Sequence, residues 1–244
     1  MRRLLFFIVI LIAWQSLGWF VPDNRLILST PVEVVQAFFT SLIDGNLFAD
    51  AMASIIRVVV GFFFAVILAI PLALLAAYKS SFGYYIMPIV NILRPIPPIA
   101  WIPIAILIFG LGDNSAFFIV FLGSFFPIFT NTYFGAISLP TTLKNVALSY
   151  ELSKYQFVNK ILFYYYLPYI FTGLKIGIGM AWMSVIAAEL IGSQSGLGYF
   201  IQMNRLMLRT DNILVGMISI GLIGYLLHFL ITILENKIIS WNKN

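Results

Sequence analysis

From Met52 to Tyr78 the chain reads MASIIRVVVGFFFAVILAIPLALLAAY, a run with a single charged side chain. A bilayer core about 30 Å thick is crossed by roughly 20 apolar residues in a helix. In lipid, each backbone polar group must find its partner inside the protein. A window of that length moved along the chain finds about six such runs. They lie at Leu4 to Val21, Met52 to Tyr78, Tyr84 to Leu111, Ala116 to Ile137, Leu167 to Ile191 and Ile213 to Leu234. With 61% hydrophobic and 9% charged residues and a mean hydropathy of +1.01, the chain lies far from soluble composition. The expected fold class is an all-α, polytopic membrane protein, a single transmembrane domain over residues 1–244.

The residue inventory narrows the chemistry. With no cysteine and one histidine, His228, the chain offers no disulfide framework, thiol nucleophile or Cys/His metal cluster. No metal site or cofactor bound by the chain itself is expected. The net charge of +5 comes from basic residues scattered between apolar runs, not from a stripe that would fit nucleic acid. Membrane topology explains them. Arg2, Arg3, Lys79, Lys144, Lys154, Lys160, Lys237 and Lys243 fall on one side of the bilayer. Asp23, Glu33, Asp44, Asp50, Asp113 and Asp211 fall on the other, accompanied by Arg25, Arg205 and Arg209. The positive-inside rule then puts both termini in the cytoplasm. The N-terminal MRRLLFFIVILIAWQSLGWF starts like a signal peptide but leads to no small-residue cleavage pattern, so it is read as an uncleaved first helix.

Two segments outside the bilayer are long enough to fold. Residues 22–51, on the outside, contain STPVEVVQAFFTSLIDGN, whose Ser-Thr-Pro start and first-turn Glu33 predict a short helix lying at the interface. Residues 140–166, on the inside, have helical periodicity with Lys144, Glu151, Lys154 and Lys160 interspersed. This segment is either a solvated connector or a docking surface.

There is no phosphate-binding loop, nucleophile elbow or HExxH pair, so the chain is not expected to be an enzyme. Its charges at membrane depth are Arg57, Arg94, Lys175 and Glu189, a class of residue that usually faces a bundle interior or a water-filled path. Arg57 either snorkels to the outer face or pairs with Glu189, and Lys175 snorkels to the inner face. Arg94 stands in NILRPIPPIAWIP, where Pro95, Pro97, Pro98 and Pro103 each remove a backbone donor. The third helix is therefore expected to break beside a cavity, with Arg94 at the break, as a structural kink or as the wall of a substrate path. Trp101 either stacks on a flat solute or packs on a neighbouring helix. Gly192, Gly196 and Gly198 in AAELIGSQSGLGYFI make a plain loop or a hinged outer gate. Upstream, Gly173, Gly177 and Ala181 form a small-residue stripe that predicts a tight helix contact, within one chain or between two copies.

Six segments in order, LSTPVEVV, SIIRVVVGF, LRPIPPIAWIPIAILIFGLG, FFPIFTNT, LPYIFTGLKIGIGMAW and AAELIGSQSGLGYFI, cover Leu28 to Ile201. In them the chain resembles the permease subunits of ATP-binding-cassette importers, in the branch for nitrate, taurine, aliphatic sulfonates, bicarbonate and related solutes. The resemblance implies the type I (MetI-like) importer fold and a homodimer in the inner membrane. It also implies two ATPase subunits that carry ATP and Mg, and an extracytoplasmic solute-binding protein. The 140–166 loop becomes the segment that docks on the ATPase. Its family pattern is E-A-A, three residues, G, nine residues, I-x-L-P. Asn145, Val146 and Ala147 fall at E-A-A, Glu151 at the glycine, and Ile161, Phe163 and Tyr164 at I, L and P. Only Ala147 and Ile161 match. Glu151 in place of glycine predicts a continuous helix there, with Ala147 as the small contact in the ATPase groove and Glu151 or Lys154 making polar contacts.

The implied path runs between the broken third helices and the fifth helices, lined by Arg94, Pro95, Pro97, Pro98 and Trp101, with Arg57 and Glu189 towards the outer face. Arg94 would attract an oxyanion such as nitrate, a sulfonate or bicarbonate. A path for a cationic or aromatic vitamin precursor is the alternative solute reading. An ion-coupled secondary carrier is the rival class, supported only by Glu189 and His228.

Overall fold

The computed structural model describes residues 9–10, 12–16 and 29–239, and among them every regular element is helical. The first expected span, Leu4 to Val21, lies largely outside the described residues, as do both termini; within it, 9–10 and 12–16 are helical. The first labelled helix, α1 (Pro31–Ile43), starts where Ser-Thr-Pro predicts. Thr30 accepts a hydrogen bond from the Glu33 backbone N–H, and the Glu33 carboxylate accepts one from the Thr30 N–H, a reciprocal box that satisfies two otherwise orphaned donors. Pro31 at the first turn forfeits nothing.

Among the described residues, four continuous helices are long and apolar enough to cross a bilayer: α2 (Asn46–Tyr78), α5 (Asp113–Ile137), α8 (Phe163–Gly192) and α10 (Thr210–Ile238). Another span is a bent pair. In it α3 (Ser80–Leu93) meets a 3-10 turn over Pro98–Trp101 and then α4 (Ile102–Phe109), at 92° to one another. The 33 residues of α2 span about 50 Å, well beyond the hydrocarbon thickness. Its start at Asn46 instead of Met52 is a correction to the sequence reading. Asn46 and Asp50 lower the hydropathy without ending the helix.

The centre of the chain is the α5–α8 pair, flanked by α2. Small residues make the approach close: a Cβ on Gly177 would lie 2.9 Å from Ile128 Cγ1, and one on Gly173 would meet the Ile128 backbone. The Gly173–Gly177–Ala181 stripe is thus used within one chain, against α5. On α2, Ala65, Ala69, Ala73 and Ala76 form a buried line against Phe126, Ile128 and Phe129. With no hydrophobic force between helices in lipid, such dispersion contacts carry the association. Lys175 does not snorkel alone. Its Nζ lies 2.8 Å from Glu235 Oε2, joining α8 to α10.

The segment 140–166 corrects a second expectation. A short helix, α6 (Thr141–Ser149), does not run on through Glu151; it stops, and Glu151 takes φ +49. The Leu152 N–H donates to Ala147 O and the Glu151 N–H to Leu148 O, both 3.0 Å, which is a Schellman closure with Glu151 in the left-handed position. Two orphan carbonyls are satisfied in this way, which offsets the helix preference of a glutamate. Ala147 is buried in the turn, 7% exposed. The chain continues through α7 (Lys154–Phe157) and a π turn over Val158–Leu162 directly into α8.

Candidate functional site

Apart from Lys175, which pairs with Glu235, the charged residues singled out in the spans fall into two places. The first is the break between α3 and α4. The last turn of α3 closes with Arg94 N–H on Val90 O (2.8 Å) and Ile96 N–H on Leu93 O (3.1 Å). Pro95, Pro97 and Pro98 then donate nothing, Pro97 is extended (φ −64, ψ 142), and Pro98 opens the 3-10 turn. The turn redirects the chain beside a cavity of about 250 Å³. Arg94, Ile96 and Pro98 form one wall; Thr130 and Asn131 of α5 and Met180 of α8 are among the others. Among the described residues, the Arg94 side chain has no ion pair or hydrogen bond. Trp101, half-buried, packs at the edge of the Ile102, Ala105, Ala116, Ile119 and Ala188 cluster.

Thr130 and Asn131 were not singled out in the sequence. Their side chains donate to backbone carbonyls one turn back, Phe126 O and Pro127 O, both at 2.8 Å. The polar triplet inside FFPIFTNT, in a span otherwise rich in phenylalanine, was the available signal.

The second place is a buried polar cluster where the starts of α2 and α5 meet the end of α8. Asp50, Ser54 and Arg57 lie at i, i+4 and i+7 on α2, hence on one face. Arg57 Nη1 lies 2.8 Å from Glu189 Oε1 and donates to Ser195 O at 2.7 Å; Nη2 donates to Ser195 Oγ at 2.7 Å and Nε to Asp113 Oδ1 at 2.8 Å. Arg57 and Glu189 are 4% and 1% exposed, so the cluster of one chain encloses both.

The cluster also caps the next helix, α9 (Leu197–Leu206). The Gly196 N–H donates to Asp50 Oδ1 (2.7 Å), the Leu197 N–H to Ser54 Oγ (2.9 Å) and the Gly198 N–H to Glu189 Oε2 (3.0 Å). Amides that would be orphaned at a helix start are thus satisfied by side chains from α2 and α8, and the carboxylates stand at its positive end. Gly196, at φ +107, has no room for a Cβ beside the Glu189 carboxylate, and Gly198 is pressed on the α8 backbone. Gly192 O accepts from the Gly112 N–H at 3.0 Å, tying the α4–α5 joint to the end of α8. The structure therefore brings Arg57, Glu189, Gly192, Gly196 and Gly198 together and leaves Arg94 and Trp101 apart from them. Sequence reasoning missed Asp50, Ser54, Asp113 and Ser195, which become partners only once three helices meet. Next to the cluster, α1, α9 and the start of α10 surround a cavity of about 630 Å³.

In residues 140–166, Asn145 and Glu151 are exposed, Ile161 is half-buried in the π turn, and Lys154 opens α7. The large apolar side chains exposed beside them are Val146, Leu148, Tyr150, Tyr155 and Val158.

Residues 69–240 match the family described as binding-protein-dependent transport system inner membrane component. The chain belongs to this family. A putative ABC transporter permease protein of Methanocaldococcus jannaschii is 37% identical over 95% of this chain and 88% of its own length. The nitrate import permease protein NrtB of Synechocystis sp. is 36% identical over 95% of this chain and 86% of its own. The putative aliphatic sulfonates transport permease protein SsuC of Bacillus subtilis is 32% identical over 100% and 88%. The fold is that of a solved inward-facing MetNI methionine ABC transporter chain, with a TM-score of 0.65 and 19% identity over 83% of this chain and 98% of that one. The chain is thus a multi-pass permease component of an ATP-binding-cassette importer. In this family the ATPase is a separate subunit.

Proposed function

We propose that two copies of this chain enclose the path of an importer for a small oxyanion, and that the path passes Arg94 at the broken span. The observation that carries this is the Arg94 side chain, without a partner among the described residues, on the wall of the cavity at the 92° bend. A guanidinium at that depth is costly against lipid by at least a few kcal/mol. Water or a passing anion lowers that cost, and a delocalised oxyanion matches the fork of an arginine. The names of the nitrate and sulfonate relatives support the same charge class.

In this reading the chain hydrolyses nothing. Two ATPase subunits, which hold ATP and Mg, grip residues 140–166 from the cytoplasm, with the termini on that same side. Leu148, Tyr150 and Tyr155 are the exposed contacts that suit a groove, with Asn145, Glu151, Lys154 and Ile161 around them. Closure of the ATPases turns the paired bundles from inward-open to outward-open, driven by the different nucleotide affinities of the two states. An extracytoplasmic binding protein presents the solute, and the turn at Gly192, Gly196 and Gly198 closes the outer end.

The test is uptake by proteoliposomes holding the chain with its ATPase and binding protein. Nitrate, an alkanesulfonate, bicarbonate and a cationic vitamin precursor are offered in turn. ATP-dependent accumulation of an anion is expected. Uptake that ignores ATP and follows a proton gradient would overturn the reading, and uptake of the cation alone would overturn its solute class.

A further inference from the structure

The arms of Arg57 are unequal. Its partner Glu189 has no side-chain exposure at all, whereas the Asp113 side chain is 64% exposed although it lies 2.7 Å from Nη2. Water can replace the bonds of an exposed carboxylate but not those of an enclosed one, so the two pairs open at very different cost. Asp113 is also the first residue of α5, directly after the joint Gly110–Leu111–Gly112. Both glycines have positive φ, +80 and +115, and open space where a Cβ would stand. At its other end α4 meets the proline break. This eight-residue helix therefore sits between two joints, its Ile102 and Ala105 packed on Ala116, Ile119 and Ala188. At the outer joint two polar contacts reach the neighbouring helices α8 and α2: the Gly112 N–H on Gly192 O, and Asp113 on Arg57.

We infer that the Arg57–Asp113 pair is a latch. It ties the outer joint of α4 to the buried Glu189 clamp and releases, with Arg57 staying on Glu189, when α4 moves. This rests on the reading of the chain as an alternating permease. It adds which contact yields at the outer end and which does not. Arg57 is then a positioning residue for the gate and no part of the solute's path.

The sequence contains no cysteine, so a single introduced thiol reports cleanly. Ser115, the third residue of α5, is buried with its hydroxyl on Gly112 O at 2.9 Å, and Ser115→Cys is nearly isosteric. Its labelling by a membrane-impermeant maleimide added from outside is compared in the assembled complex with and without Asp113→Asn. A rise of about tenfold in rate is expected, the loss of one charge-assisted hydrogen bond. Asp113→Glu should return the rate to that of the parent, which a mere loss of folding would not do. ATP hydrolysis without binding protein should rise with the labelling. Labelling of Asp113→Asn at the parent rate would overturn the latch even where the parent complex transports normally. A parent complex that transports nothing with ATP would overturn the importer reading instead, whatever the labelling shows.

Discussion

The α-carbon of Gly196 faces the Glu189 carboxylate so closely that a methyl group there would occupy the space of the carboxyl carbon. With φ +107 and ψ 164, Gly196 also sits in a region that glycine alone enters readily. Gly196→Ala should therefore cost about 3 kcal/mol. Thermal unfolding in detergent checks this, with Gly179→Ala, which has open space around it, as the reference that should unfold like the parent.

Arg57 and Glu189 should show strong coupling. Arg57→Met leaves a buried carboxylate without its cation and is expected to cost about 3–5 kcal/mol. Adding Glu189→Gln should restore a large part, because the amide still accepts from Ser54 and Gly198 without a charge to neutralise. A double-mutant cycle read by thermal unfolding measures the coupling, and additive losses would contradict it.

How much of this was legible differs residue by residue. The break at Arg94 could be read directly, because Pro95, Pro97 and Pro98 remove donors whatever surrounds them. The pairing of Arg57 with Glu189 was one of two open readings, and only the meeting of α2 with α8 decides it. Asp50, Ser54 and Ser195 gave no signal, since their roles depend on where the start of α9 lands. The helix α9 itself was hidden in a glycine-rich segment read as loop or gate. Its capping groups come from other helices, so no local start signal precedes it. The small-residue stripe announced a close contact but not whose, and α5 answers that. Glu151 was misread because helix propensity is a local preference, and the Schellman closure satisfies two carbonyls that a propensity scale does not count.

Arg94 should matter for transport and little for stability. Arg94→Gln is expected to lower ATP-driven anion uptake by about tenfold or more, the value of one charge-assisted contact, while the unfolding temperature stays near that of the parent. Arg94→Lys should fall between, keeping the charge without the fork. Parallel uptake and thermal scans on reconstituted protein separate the two effects.

In residues 140–166, Ala147 and its neighbour should behave differently. Ala147 is enclosed by the turn, so Ala147→Leu should disorder residues 140–166, seen as faster amide exchange there. Leu148 is 75% exposed, so Leu148→Asp should leave the loop folded and weaken ATPase binding by about tenfold, measured by copurification at graded dilution.

Glu151→Gly relieves a left-handed glutamate, at φ +49. The turn should gain about 1 kcal/mol, visible as slower exchange of the Leu152 amide. Faster exchange would mean that the glutamate side chain, not the backbone, holds the turn.

The π turn at Val158–Leu162 joins this loop to α8 without a gap. Such a turn holds one residue more than an α turn, in which each residue advances the helix by about 100°. Deleting one residue there would leave an ordinary α turn that covers nearly the same angle with one residue fewer, so the loop would keep its bearing about the axis of α8. The join is thus a slack link, able to take up or give up one peptide without changing the direction in which the loop meets whatever binds it.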